Sequence, residues 1–314
     1  MPATTSTDLA ALIPDEVISG VVADTAGDSS TLINLCAVQR GSLHATFNEM
    51  APFAAATVGE GAALAPAAVT PIGTTITATH EEVPAVQITR TGLAQQQYDW
   101  LNLGGGLGRA LRDRINAQVC ATFDDLHSGN RDSIASTDGA GNAAPLDLHA
   151  LELALRSAEG DNALAKPYGE GTELAIVLHP KQIAEIRAAV RASGNYIARA
   201  DVISLFPALP QAGLAFMFYG VPVYSSVGVA SGAFAGAAGA GVALQTGVAL
   251  AAGNTYKGAI MAVGSAVGFN MTTDPNVRMA DEVLIGGGGM NLVAGYVGAA
   301  ARFSHYLGCI ESAA

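Results

Sequence analysis

The sequence is poor in charged residues, and lysine is especially scarce. Charged side chains make up 13% of the 314 residues, and the lysines are Lys166, Lys181 and Lys257. Fifteen lysines and arginines face 27 aspartates and glutamates, which gives a formal net charge of −12. Nucleic-acid binding is driven by clustered cations that release counterions, so this balance argues against a sequence-specific DNA-binding or RNA-binding protein.

Cysteine is equally scarce, and its spacing excludes the common metal motifs. Cys36, Cys120 and Cys309 lie far apart and form neither a CxxC pair nor a zinc-binding spacing. We therefore expect three reduced thiols. The histidines form no HxxxH or HExxH pair, and we predict no metal ligand among them: His44, His80, His127, His149, His179 and His305.

The sequence also lacks the motifs of the common catalytic and cofactor sites. The Gly104-x-Gly106-x-Gly108 pattern has no full dinucleotide spacing and follows no clear strand. The run from Gly286 to Gly289 has no following Lys-Ser or Lys-Thr, so it predicts a turn. Glu81 and Glu82 are neighbours in a strand-like stretch and would point to opposite faces. No GxSxG elbow is present. We predict no catalytic residue, no cofactor-binding residue and no enzyme activity.

Signals for secretion and membrane insertion are weak. Residues Met1 to Asp8 lack the basic start and apolar core of a signal peptide. Residues 202–256 carry no charge, but three prolines interrupt them and Ala and Gly dominate. Because Ala and Gly favour insertion little, a transmembrane helix is the weaker interpretation. The Gly- and Ala-rich part, residues 228–253, is either a surface loop or a packed insertion.

What the chain does have is apolar and small residues. Half of the residues are hydrophobic and 37 are glycine. Disordered chains need low hydrophobicity and high charge, so this composition predicts a folded protein with a sizeable core. So few charges on a large chain favour a subunit that buries much of its surface against copies of itself.

The first half predicts an arm, a projecting loop and a long helix. Pro14 begins a short helical stretch, and Leu32 to Leu35 is a second apolar segment too small to form its own core. Between residues 41 and 91 the period changes to two, with a Gly- and Pro-rich loop inside, which predicts a long two-stranded projection. It should lie on a neighbouring subunit, because an isolated hairpin is marginal in water. A helix from Gly92 to Leu126 follows, with a break or kink at Gly104 to Gly106.

The second half predicts a mixed α/β unit and returning strands. Asp147 is a plausible N-cap for a helix that buries Leu151 and Leu155. Residues 174–178 form a short apolar strand, and residues 182–192 a helix that buries Ile183, Ile186 and Val190. Residues 216–224 complete this unit, and residues 258–310 alternate apolar and small residues as strands do.

In their order and spacing, these segments resemble the tailed-phage major capsid proteins, whose fold is named for phage Hong Kong 97 and is shared with encapsulins. The resemblance extends over nearly the whole chain as a succession of weak motifs. They are Ile13 to Leu35 for the N-terminal arm, Ala56 to Gly61 with the Thr74 to Thr89 strands for the extended loop, Gln95 to Leu126 for the spine helix, Ile176 to Lys181 for the axial domain, Gly220 to Ser226 for a turn into a strand, and Lys257 to Ile260 for the return strand.

The resemblance implies an α+β fold of the Hong Kong 97 type and a division into five segments. They are residues 1–45 as the N-terminal arm, 46–91 as the extended loop, 92–145 as the peripheral domain with its spine helix, 146–256 as the axial domain, and 257–314 as return strands of the peripheral domain.

The implied function is a structural one. The chain would be the major capsid protein of an icosahedral phage shell, located in the virion and assembled in the host cytoplasm. Its partners would be copies of itself in hexamers and pentamers, portal, scaffold or decoration proteins, and double-stranded DNA contacted non-specifically, with no membrane. Two alternatives stay open: an encapsulin-like compartment, and a two-domain α/β enzyme or binding protein with an unrecognised site.

The chain also departs from some members of the family. Those members cross-link subunits through a lysine on the extended loop, whereas no lysine precedes Lys166 here. We therefore expect no cross-link from this loop. Few residues precede the arm, so we expect any scaffold to be a separate protein.

Overall fold

The computed structural model describes most of the chain. It covers residues 32–49, 72–79, 81–89, 100–125, 131–136, 144–159, 173–192, 203–204, 213–232, 241–243, 255–282 and 289–313. The predicted helix after Pro14, the loop segment Ala56 to Gly61 and the glycine run before Gly289 lie outside these residues.

The described elements form an α+β fold of three α-helices and sixteen strands. The helices are α1 (Trp100–Ala121), α2 (Leu148–Glu159) and α3 (Pro180–Ala192). The strands are β1 (Ala37–Arg40), β2 (His44–Glu49), β3 (Ile72–Thr77), β4 (Glu81–Glu82), β5 (Ala85–Thr89), β6 (Arg131–Ala135), β7 (Leu174–Leu178), β8 (Ile203–Ser204), β9 (Leu214–Phe218), β10 (Val221–Ser225), β11 (Ser231–Gly232), β12 (Gly241–Ala243), β13 (Thr255–Ala262), β14 (Val267–Glu282), β15 (Gly289–Arg302) and β16 (Leu307–Ala313).

The strands form three sheets. A nine-stranded sheet has the order β12-β6-β16-β13-β7-β10-β9-β8, with β11 also paired to β13. A five-stranded sheet has the order β1-β14-β15-β4, with β5 also paired to β15. β2 and β3 form a separate two-stranded sheet. The last segment of the chain thus supplies strands to both large sheets, since β13 and β16 belong to one and β14 and β15 to the other.

The core has two main layers on either side of the nine-stranded sheet. One cluster joins α1 to both large sheets and contains Leu111, Phe123, Val177 and Tyr296. The other lies between the same sheet and helices α2 and α3, and contains Leu151, Ile176, Ile183 and Ile260. The alternation of strand side chains explains the division, because Val177 and Ile176 are neighbours that point to opposite faces.

Several sequence predictions in the second half are confirmed. The Asp147 Oδ1 atom accepts a hydrogen bond from the Ala150 backbone N–H at 2.8 Å, which is the geometry of an N-cap. β7 spans the predicted residues with every side chain buried. α3 buries Ile183, Ile186 and Val190 and begins at Pro180, two residues earlier than expected. Proline at the first helical position sacrifices no helical hydrogen bond, which explains the early start.

The predicted break in the long helix is wrong. α1 is continuous from Trp100 to Ala121 through Gly104, Gly105 and Gly106, and a 3-10 turn, Thr122–Asp124, follows it. Each glycine costs a helix about 1 kcal/mol relative to alanine. The buried stripe of Leu107, Leu111, Ile115, Val119 and Phe123 outweighs this cost, because tertiary packing supplies most of the stability of a helix in a protein.

The strand pattern of the first half is divided between two sheets. β2 pairs with β3 in an antiparallel register from His44↔Thr77 to Glu49↔Ile72, as expected for the projection. The later alternating stretch does not belong to that projection, because β5 pairs with β15 in the five-stranded sheet. Period-two patterning identifies a strand but carries no information about its partner, so this assignment needed the tertiary structure.

Candidate assembly surfaces

The two-stranded sheet β2–β3 is the root of the predicted projecting loop. Its last register pair, Glu49 and Ile72, brings the two ends of residues 50–71 together at one edge. The burial of β2 alternates strictly, with Ala45 and Phe47 buried and His44, Thr46 and Asn48 exposed. One face of this small sheet therefore packs on the chain's own body, and the other faces outward.

An aromatic contact fixes the inner face of this sheet. The rings of Phe47 and Phe303 lie 5.5 Å apart between centroids, and Ala45 and Ile76 complete the small cluster. A side chain at Gly268 would place its Cβ 2.7 Å from the ring of Phe47. Glycine is thus required at this position of β14, where the two-stranded sheet β2–β3, called the projecting sheet below, packs on the five-stranded sheet.

Asn270 on β14 holds both strands of the projecting sheet by hydrogen bonds. The fully buried side chain donates from Nδ2 to the backbone oxygens of Leu43 and Ile76, each at 3.1 Å. A buried amide donor needs such partners, because leaving it unsatisfied costs about 1–3 kcal/mol. This bridge fixes the position of β2 and β3 on the body.

A buried ionisable pair lies at the outer end of β2. The Glu49 carboxylate contacts Nδ1 of His305, and both residues are buried. The His305 ring also lies 4.0 Å from the Tyr306 ring between centroids. The segment after β15 therefore holds the end of β2, which is the last strand residue before residues 50–71.

The outward face of the two-stranded sheet β2–β3 is polar. Thr46 Oγ1 lies 3.1 Å from Thr75 Oγ1, and His44 Nδ1 lies 2.9 Å from Thr77 Oγ1. Leu43 and Ile72 are each about half exposed at the two ends of the sheet, and Ile72 is on the same side as the buried Ile76. An exposed mixture of threonine and large apolar side chains is suited to contact with another protein surface.

A second exposed feature is the turn between β9 and β10. Tyr219 and Gly220 both have positive φ, 47° and 82°, which is the backbone of a tight hairpin turn. Tyr219 is 52% exposed, and its ring packs on the edge of the Phe218 ring with 4.9 Å between centroids. The turn presents an aromatic side chain to solvent on a rigid hairpin.

Helix α1 joins the edge of the five-stranded sheet through polar contacts. Arg114 bonds the Glu82 carboxylate at 2.8 Å, and the Tyr296 hydroxyl lies 3.0 Å from Oε1 of Gln118. Burial and the nearby Glu82 carboxylate raise the pKa of Tyr296 well above its usual value. Glu81 pairs instead with Arg278 at 3.8 Å. The two adjacent glutamates thus serve different arginines, as strand geometry predicts.

The structure describes the three cysteines and four of the six histidines. All three cysteines are buried, and no disulfide joins them. His44 and His149 are exposed, and the His179 ring stacks on that of Tyr256 at 4.1 Å between centroids. Burial, with a contribution from Lys181, lowers the pKa of His179. His80 and His127 lie outside the described residues. The predicted absence of catalytic and cofactor-binding residues stays a prediction.

One polar cluster escaped the sequence reasoning. Ligand atoms of Asp124, Cys309 and Glu311 lie within 4.8 Å of one another, and the Lys257 ammonium contacts the Asp124 carboxylate. Lys257 and Asp124 are 133 residues apart, so no local motif could bring them together. A lysine ammonium in the cluster repels a cation, so the cluster is poorly suited to hold a metal ion.

In the part of the chain that the structure describes, no helix is both long and apolar enough to span a bilayer.

The fold matches capsid structures along most of the chain. The capsid of Helicobacter pylori bacteriophage KHP30 superposes with a TM-score of 0.61 at 9% identity, over 90% of this chain and 88% of that one. The capsid of Ralstonia phage GP4 gives 0.60 at 12% identity, over 90% and 88%. A virus-like particle from Pyrococcus furiosus gives 0.54 at 11% identity, over 94% and 98%.

Sequence comparison adds nothing to these structural matches, because no protein-family model and no curated protein sequence matches the chain. At identities this low, the likeness rests on the three-dimensional arrangement alone. That arrangement, with its projecting two-stranded sheet, long helix and two large sheets, is the tailed-phage major capsid fold of the Hong Kong 97 type.

Proposed function

We propose that this chain is a major capsid protein that assembles into the closed icosahedral shell of a tailed phage. The observation that carries the proposal is the fold, which matches capsid structures over about nine-tenths of this chain and of theirs. Such a protein functions through its shape and its contacts with other subunits, and this function needs no catalytic residue or cofactor.

The mechanism of assembly follows from many weak contacts acting together. Phe47 and Asn270 hold β2 and β3 on the body, and the loop between these strands would contact a neighbouring subunit. The N-terminal arm would make a second contact with a neighbour. Once one contact has formed, the next is effectively intramolecular, so modest interfaces add up to a stable shell.

The domain division belongs to the same proposal. Helices α2 and α3 and strands β7 to β12 lie in the segment assigned to the axial domain, residues 146–256, which would face the centre of each pentamer and hexamer with Tyr219 on an exposed turn. Helix α1 and strand β6 lie in the segment assigned to the peripheral domain, residues 92–145, and β14 to β16 lie in its return strands, residues 257–314.

The acidic charge suits the inner surface of a shell that encloses DNA without binding it tightly. With a formal net charge of −12, the chain lacks the clustered cations that hold phosphate backbones. Packaged DNA would therefore touch the inner wall non-specifically. Portal, scaffold and decoration proteins are the further partners expected, and the mature location is the virion.

Negative-stain electron microscopy with matched light scattering tests the proposal. We expect uniform hollow particles tens of nanometres across, or pentamers and hexamers that close when the solution conditions change or a scaffold is supplied. A monomer or dimer that stays so at high concentration, under every condition tested for closure, would contradict the proposal.

A second candidate uses the same shell for different contents. This alternative is an encapsulin-like compartment, and the matches to phage capsids favour the phage shell over it. The contents of purified particles distinguish the two. Nuclease-protected DNA of uniform length supports the phage capsid, whereas a co-purifying enzyme without DNA supports the compartment.

A further inference from the structure

The buried cluster around Lys257 brings an amine and a carboxyl group together inside the protein. Lys257 on β13 contacts the Asp124 carboxylate, which ends the 3-10 turn after α1. The two side chains are only 7% and 16% exposed. A lysine and an aspartate in contact, shielded from water, are the two reactants of an amide bond.

A third group supplies the acid–base function that such a reaction needs. Glu311 on β16 is the register partner of Lys257, so both side chains point to the same face of the nine-stranded sheet. Glu311 is fully buried, and its carboxylate lies within 4.8 Å of that of Asp124. One face of the sheet thus holds the amine, the acceptor carboxyl and a second carboxyl side by side.

The surroundings favour a neutral product over the ion pair. Ala259 and Leu307 from the sheet, with Val119 and Phe123 from the helix side, belong to the apolar cluster next to these groups. Buried charges are costly even when paired, because desolvation offsets much of their attraction. Converting one ammonium and one carboxylate into an amide removes two charges from this interior.

We propose that Lys257 and Asp124 condense into an intramolecular isopeptide bond, with Glu311 as the proton carrier. The Lys257 amine attacks Asp124 Cγ, the Nζ–Cγ bond forms and a Cγ–O bond breaks. Nζ loses two protons, and both leave with the departing oxygen as water, one of them through Glu311. The step is neutral in charge and redox, and it requires no other reactant.

The bond would tie two distant parts of the fold together. Lys257 and Asp124 are 133 residues apart, and the link joins the end of α1 to the centre of the nine-stranded sheet. It would form within each subunit as it folds. It is therefore independent of the proposed assembly, and it differs from a cross-link between subunits.

Intact mass spectrometry of the purified full chain under denaturing conditions tests the proposal. We expect the natively folded protein to weigh one water less than its sequence, and a proteolytic digest to contain a branched peptide joining Asp124 to Lys257. The full sequence mass, with Lys257 in a linear peptide, would overturn the proposal whether or not the chain assembles.

Three variants distinguish the proposed isopeptide bond from other reactions that remove one water molecule from the chain. Lys257→Arg keeps the positive charge but cannot form the amide. This variant should therefore have the full mass of its sequence. Glu311→Gln should also have the full mass of its sequence, provided that circular dichroism shows that this variant is folded. Lys181→Arg replaces an exposed lysine and should lose water as the native chain does. A loss of water that persists in Lys257→Arg would indicate a succinimide instead and refute the bond.

Discussion

At the scale of single residues, burial controls the chemistry of the side chains. Burial raises the pKa of Cys120 to about 12 from 9.0, and a contact with Ser226 opposes the shift. Burial, and then the nearby Cys120, raises the pKa of Cys36 still further. The thiolate is the reactive form of cysteine, so these shifts predict inert thiols.

We expect Cys36 and Cys120 to resist alkylation in the folded protein. With a pKa moved from 9.0 to about 12, the thiolate fraction of Cys120 at pH 8 falls about a thousandfold. Iodoacetamide labelling followed by peptide mass spectrometry measures this directly, with the protein in denaturant as control. Rapid labelling of either thiol in the folded chain would show that the core opens there.

The same shifts predict how stability depends on pH. The folded chain keeps the Cys120 proton above the ordinary thiol pKa of 9.0, whereas the unfolded chain releases it. Above that pH the unfolded state therefore binds fewer protons than the folded state. The free energy of unfolding accordingly falls as the pH rises. Denaturant midpoints should fall above pH 9, and replacing Cys120 with alanine should reduce the fall.

At the scale of elements, α1 shows how packing overrides local preference. Its three consecutive glycines would disfavour an isolated helix, yet the helix passes through them. Leu107, Leu111 and Ile115 lie on the face that meets the sheets, and that face was visible in the sequence as a repeat every fourth residue. The continuity of the helix was not visible, because it depends on what the stripe packs against.

Replacing Gly105 and Gly106 with alanine should stabilise the isolated subunit. A Cβ at either position meets no atom within 4 Å, and alanine in a helix is favoured by about 0.5–1 kcal/mol per site. Denaturant titration of the double variant measures the gain in the free energy of unfolding.

Gly228→Ala is the matched control for this prediction. Its Cβ would lie 3.0 Å from the backbone of Ala117 on α1, so this variant should lose stability instead. A loss of stability in the Gly105→Ala/Gly106→Ala variant would show that the helix bends at these positions in solution. Unchanged subunit stability combined with lost particle formation would place the bend in the assembled shell.

At the scale of the whole molecule, anchoring and assembly are separate tasks. Phe47, Asn270 and Glu49 hold the projecting sheet to the chain's own body. Glu49 and Ile72, which flank residues 50–71, are register partners in that sheet, so a short connection can join them. The fold of the subunit and the assembly of the shell should therefore respond differently to changes in the loop.

Replacing residues 50–71 with an Asn-Gly turn should leave a folded subunit that does not assemble. Glu49 and Ile72 are register partners, and a two-residue turn of this type joins antiparallel strands well. Circular dichroism and thermal unfolding should match the native chain, while electron microscopy should show no closed particles. Closed particles from this variant would show that the loop does not carry the contacts between subunits.

A control for this experiment keeps the loop and changes only its root. Asn270→Ala removes two hydrogen bonds that hold β2 and β3, so it should lower the stability of the subunit by about 1–3 kcal/mol. If both variants lose assembly but only Asn270→Ala loses stability, the loop acts through contacts with neighbours.

The sequence by itself determined the elements and their exposure. Periodicity located the buried faces of α1, α2 and α3, the apolar strand β7 and the cap at Asp147, because these depend on neighbouring residues. The scarcity of charge and of catalytic motifs pointed to a structural subunit. The order of the segments was enough to suggest the capsid fold.

Only the tertiary structure decided which elements meet. It placed β5 beside β15 and not in the projection, carried α1 through its glycines, and put Lys257, Asp124 and Glu311 on one face of the central sheet. The physical reason is the same in each case. Strand partners and buried polar clusters join residues far apart in the chain, and local patterns carry no record of such pairings.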